Sequence, residues 1–149
     1  MNKKGFTLVE LLAVIALLAL LTGIAVPNVI STINNNKKNT FLMDAKRMVS
    51  KASYLLSNNP SDRETVLAGG RKIYNFNALN EDEEFLTDAD GGSYDANTFV
   101  MVTLNGGSYN YCICVVGSKR QIGSSCNATT GSGCVSSTTL TGIDVVKDK

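Results

Sequence analysis

The sequence contains no histidine. That excludes a Ser-His-Asp triad, a Cys-His nucleophile pair and any His-ligated zinc site. It also lacks a surplus of either charge. Over 149 residues, 14 Lys and Arg stand against 13 Asp and Glu, a net of +1, which disfavours a partner gripped along its phosphates, such as duplex DNA. Charge is missing locally as well. No ionisable side chain lies between Glu10 and Lys37, and from Phe6 to Val26 only Thr7, Glu10, Thr22 and Gly23 fall outside the apolar set. The length allows one ordinary domain, or a small domain with an appendage. This uneven distribution favours the second: an apolar N-terminal rod followed by a polar C-terminal domain.

As a helix, the run Phe6–Val26 would be about 31 Å long, close to one hydrocarbon thickness. Lys3 and Lys4 precede it with no acidic residue beside them, so the N-terminus is expected in the cytoplasm and the bulk of the chain outside. A removable secretory signal has a shorter apolar core of about 7–15 residues, although Gly23-Ile24-Ala25 resembles a cleavage site. A plain single-pass anchor fits the length. Neither accounts for Glu10, because a carboxylate inside a spanning helix costs about 2.5–3.5 kcal/mol. Such a residue implies a function and a partner.

The residues around it, Lys4-Gly5-Phe6-Thr7-Leu8-Val9-Glu10, resemble the processing motif of type IV prepilins and of the pseudopilins of type II secretion and competence systems. The resemblance covers about the first 50 residues and continues into an apolar helix with Pro27 where the family commonly has a proline. It implies that a membrane peptidase, the prepilin peptidase, cuts between Gly5 and Phe6 and methylates the new N-terminal phenylalanine. It also implies that Glu10 meets the amine of Phe6 in a neighbouring subunit and sets axial register during filament assembly. Two unit charges about 4 Å apart at an effective dielectric of about 20 attract by about 4 kcal/mol, comparable with the cost of placing the carboxylate in lipid. Phe6 and Glu10 are also four residues apart, so the pair could close within one helix.

Past Pro27 the apolar pattern becomes one-sided. Val26, Ile30, Ile33, Lys37, Phe41, Ala45, Met48, Ala52 and Leu55 recur at helical spacing, and Leu42, Val49 and Leu56 widen the stripe. The helix is expected to stop at Asn58-Asn59-Pro60. No head of this size can cover such a rod, so its first half must be buried by lipid or by other copies. Gly23 and Pro27 form a weak point: proline removes the bond to the Gly23 carbonyl, and glycine already weakens a helix by about 1 kcal/mol. It is either a harmless kink or a site of unwinding when the helix leaves lipid. Residues 27–57 carry five basic groups against one acidic, and residues 58–149 seven against eleven. The opposite signs provide for attraction between stacked subunits, or for the stem lying on anionic headgroups; a solvated helix face is the simpler account.

In the exported part, Ser61-Asp62-Arg63-Glu64 has the form of a capping box opening a short helix that ends at Gly69-Gly70. Ile73, Tyr74 and Phe76 suggest a brief strand or an extended segment. Glu81–Asp90 is an acidic connection; Asp88-Ala89-Asp90-Gly91 and Asp95 match an EF-hand loop incompletely, so a solvated acidic turn is expected and no metal or cofactor is assigned. Thr98–Leu104 and Ser108–Val116 flank Asn105-Gly106-Gly107 as a hairpin. Tyr109, Tyr111, Ile113 and Val115 are on one face of its second strand, with Cys112 and Cys114 on the other. Gln121-Ile122 and Ile143–Val146 are expected as further strands. In an exported, loop-rich region the four cysteines, Cys112, Cys114, Cys126 and Cys134, favour disulfides. Cys112 and Cys114 lie about 7 Å apart on one face, too far to bridge readily. The pairs are then 112–134 with 114–126, or the opposite crossing; 126–134 with two free thiols, or a four-thiolate zinc site, stays open.

The expected fold is α+β: a long N-terminal helix packed on a small antiparallel sheet, a pilin-like roll. The expected parts are a leader at 1–5, an assembly helix at 6–26, its amphipathic continuation at 27–57 and an exported head at 58–149. Within the head, 58–97 is a variable connection, 98–122 the hairpin and sheet, and 123–149 the cysteine-containing region. The implied function is that of a structural, non-enzymatic subunit of a type IV pilus-like filament. Its partners would be other pilin-like subunits, the prepilin peptidase, an inner-membrane assembly platform and, before assembly, the lipid bilayer. The acidic head argues against direct nucleic-acid binding, with Lys119-Arg120 on a loop as a small exception. The alternative is a membrane-anchored extracytoplasmic binding module that does not polymerise.

Overall fold

One helix, α1 (Leu8–Asn58), takes in both the apolar run and the amphipathic stretch beyond it. A computed structural model describes residues 7–149, except for the side chains of Ile24, Ala25 and Pro27. The chain forms two compact units, one ending at Asn36 and one running from Lys37 to Lys149. In the first, the large apolar side chains from Leu8 to Ile33 that are described are exposed.

The second unit is built where α1 becomes one-sided. Phe41, Leu42, Ala45, Met48, Ala52 and Leu56 are buried, and they share a core with Val100, Val102, Ile113 and Val115 of the sheet. After α1 comes α2 (Pro60–Leu67). Its cap is Asn59, whose side-chain oxygen accepts from the Asp62 amide, and Pro60 stands in the first turn. The expected cap at Ser61 is therefore replaced by one two residues earlier. An Asn-Pro pair supplies both a capping carboxamide and a ring already set at helical φ, and it outcompetes the Ser-x-x-Glu pattern.

The sheet has the order β1 (Arg71–Asn75), β2 (Phe99–Asn105), β3 (Ser108–Val116), β4 (Arg120–Ile122) and, at its edge, β6 (Lys147–Asp148); β5 (Val135–Ser136) also pairs with β3. Every pairing is antiparallel. A four-residue helix, α3 (Phe76–Leu79), follows β1 directly, so the acidic connection runs from α3 to β2. The hairpin turns at Gly106 and Gly107, both at positive φ, with Asn105 opposite Ser108. Two consecutive left-handed residues are the turn whose twist matches that of paired strands. The last edge strand lies later than Ile143–Val146. Ile143–Val145 make a 3-10 turn instead, and pairing with β4 begins at Lys147.

The inward parity of β3 places Ile113 and Val115 in the core, and the Tyr111 hydroxyl hydrogen-bonds the Ser53 hydroxyl of α1 at 3.0 Å. The opposite parity carries the sulfurs. Cys112 is joined to Cys134 and Cys114 to Cys126, with Cα separations of 5.4 and 5.8 Å. Two bonds from one strand thus hold a Gly/Ser/Thr-rich segment that has little apolar surface of its own to bury. Removing either bond is expected to cost about 2–4 kcal/mol. Reduction under native conditions should add two hydrogens per bond to the intact mass and open residues 123–134 to proteolysis, while the hairpin stays resistant.

Candidate functional site

The first turn of α1 gathers the candidate residues. Thr7 precedes the helix, and its amide and hydroxyl both donate to Glu10 Oε2, each at 2.9 Å. In return the Glu10 amide donates to the Thr7 hydroxyl oxygen at 3.3 Å. This is a reciprocal capping box, Thr-x-x-Glu, in which each side chain satisfies an amide that the helix leaves without a partner. The carboxylate also lies at the positive end of the helix dipole. Glu10 therefore has a local role that charge and burial alone did not point to, although the spacing Thr7-Leu8-Val9-Glu10 was there to be read. Beyond it, Leu11, Leu12, Val14, Ile15, Leu17, Leu18, Leu20 and Leu21 are exposed. A helix of this length and apolar composition can cross a bilayer.

Residues 1–26 match the family model described as the prokaryotic N-terminal methylation motif. The chain carries the signal motif of type IV pilins and pseudopilins. No curated protein and no solved structure matches the chain. The signal motif is that of structural subunits, and with one apolar N-terminal helix it fits anchoring in a membrane before assembly.

Of the residues assigned to the signal motif, Gly5 and Phe6 lie outside the described residues, as do Lys3 and Lys4; Thr7 and Glu10 are described. Gly23 and Pro27 fall inside α1, which continues as helix through both. The Thr22 hydroxyl donates to the Leu18 carbonyl one turn back.

In the head, the basic stem and the acidic surface meet inside one chain. Lys37 pairs with Asp90 at 3.1 Å, Lys38 with Asp148 at 3.5 Å, Arg47 with Glu84 at 2.5 Å and Lys51 with Asp82. Four of the stem's five cations are thus matched intramolecularly by acids of the head. The Arg47 guanidinium also lies over the Phe85 ring, 5.4 Å from its centroid.

The segment that resembled a calcium loop is engaged otherwise. Asp88 accepts from the amides of Asp90, Gly92 and Ser118. Burial alone would raise its carboxyl, but these bonds outweigh burial and hold it below the usual carboxylate range. Burial acts the same way on Asp90, and Arg120 and Lys37 likewise override it. A side chain at Gly117 would come within 2.6 Å of the Phe41 ring and 2.8 Å of Asp88 Oδ2, so this turn needs glycine for close approach. Arg120 is not on a solvated loop. It lies in β4, 6% exposed, with Asp90 and Asp148 as partners, which removes it from any phosphate-contacting pair with Lys119.

Proposed function

We propose that this chain is a structural subunit of a type IV pilus-like filament, cut by prepilin peptidase after Gly5, methylated on Phe6 and polymerised through α1. The observation that carries this reading is the methylation motif at residues 1–26, whose membrane-length apolar run, Phe6–Val26, has one charge, Glu10, at the place the resemblance gives it. Before assembly the helix resides in the membrane with its N-terminus in the cytoplasm. After assembly its apolar side chains, exposed in the single chain, are covered by other pilin-like subunits. The assembly platform moves the subunit from one setting to the other, and the Gly23–Pro27 stretch is where the helix gives way. The assembled filament reaches the cell surface or spans the envelope.

The chemistry of processing is economical in residues. Cleavage removes Lys3 and Lys4 together and creates a cationic amine on Phe6, four residues from Glu10. Glycine at position 5 leaves the scissile bond unobstructed. The mature protein from native cells is expected to begin with methyl-phenylalanine by mass spectrometry. Gly5→Leu should leave an uncut, unmethylated precursor that migrates more slowly. Native material still beginning at Met1 and sedimenting without multimers would replace this reading with that of a membrane-anchored binding module.

A further inference from the structure

Five charged residues from four separate segments of the head close into a ring. Asp90, in the loop before β2, has a side chain only 3% exposed; one oxygen takes Lys37 of α1 at 3.1 Å and the other takes Arg120 Nε of β4 at 2.7 Å. Arg120 Nη1 reaches Asp148 of β6 at 2.9 Å. Asp148 returns to α1 through Lys38, at 3.5 Å from its second oxygen. Lys37 and Lys38 are adjacent, so the circuit runs from helix to loop to strand to strand and back.

We propose that this ring is an ionic latch, which makes docking of the 88–92 loop and of strand β6 onto α1 one cooperative event. The elements it joins are short: β4 is three residues, β6 two, and residues 88–92 form neither helix nor strand, although Ile122 of β4 and Val146 just before β6 also reach the core. Two-residue pairings are marginal alone. The loop is also tied to the turn before β4, through the Ser118 amide on Asp88. Desolvating Asp90 and Arg120 costs free energy that an apolar pair of the same size would not, so the gain is in fixing one arrangement rather than in raw stability. Opening a contact of Asp90 or Arg120 leaves a buried charge short of its partner, which weakens the remaining contacts. Segments coupled this way open together as a unit.

Hydrogen exchange of the full chain in detergent micelles, resolved by mass spectrometry, tests this. Asp148→Asn, at a side chain 60% exposed, is expected to speed exchange about tenfold or more at the amides of Asp90 and Gly92, which Asp148 does not touch, as well as in β4 and β6. Lys38→Gln should give the same pattern from the helix side. Asp90→Asn with Asp148→Asn should exchange no faster than the more affected single variant, since either substitution alone already breaks the circuit that both share. The latch is overturned if Asp148→Asn affects β4 and β6 alone, if the two substitutions add, or if β2 and β3 speed up equally. Should Asp90→Asn fail to fold, Asp148→Asn and Lys38→Gln, both at side chains more exposed than that of Asp90, decide the matter.

Discussion

Replacing Glu10 by alanine is expected to leave the subunit cut, methylated and in the membrane, yet to abolish filaments. The variant deletes the charge that would meet the freshly cut amine of Phe6, an attraction of about 4 kcal/mol at an effective dielectric of about 20. It also deletes the acceptor of two Thr7 hydrogen bonds. Glu10→Gln separates the two. Glutamine can still complete a capping box, but it has no charge to offer. If register depends on the ion pair, Gln fails as Ala does; if the helix start is what matters, Gln restores assembly. Sheared filaments counted by electron microscopy, beside the mass of the processed subunit, distinguish these results. Wild-type yields from Glu10→Ala would remove the assembly role.

The largest loss of stability is expected from Phe41→Ala. Phe41 is fully buried, its ring 5.8 Å from that of Tyr94 and tilted 38° to it, with Gly117 beneath. Truncating a buried phenylalanine costs about 3–5 kcal/mol, a large part of the 5–15 kcal/mol or so that a domain has in total. The neighbours that would have to fill the space are constrained. Tyr94 is fixed by its hydroxyl, which donates to Asp44 Oδ2 at 2.7 Å, and Gly117 belongs to a turn held by Asp88. Urea unfolding of the full chain in micelles should therefore show nearly the full cost. Met43→Ala, two residues along and 64% exposed, should change stability by no more than about 0.5 kcal/mol.

Local periodicity made much of this fold legible beforehand. Phe41, Ala45, Met48 and Ala52 stood out because one helix face repeats every 3.6 residues, and the hairpin because Asn-Gly-Gly permits few other turns. Where two local signals competed, the stronger was missed: Asn59-Pro60 prevailed over Ser61-x-x-Glu64. Thr7 was overshadowed by the charge of Glu10, although the capping relation is as local as any. Contacts between distant residues were not legible in the same way. Spacing alone treats the two crossings of Cys112 and Cys114 as equals. Nothing near Asp90 indicates Arg120, 30 residues away, as its partner.

Four of the stem's five cations pair with the head's own acids, and charge balances within each copy. From Lys37 to Lys149 the chain carries twelve basic and twelve acidic side chains. A polymer of such units accumulates no net charge from this part of the chain as it lengthens, so long-range repulsion among these units does not mount with length.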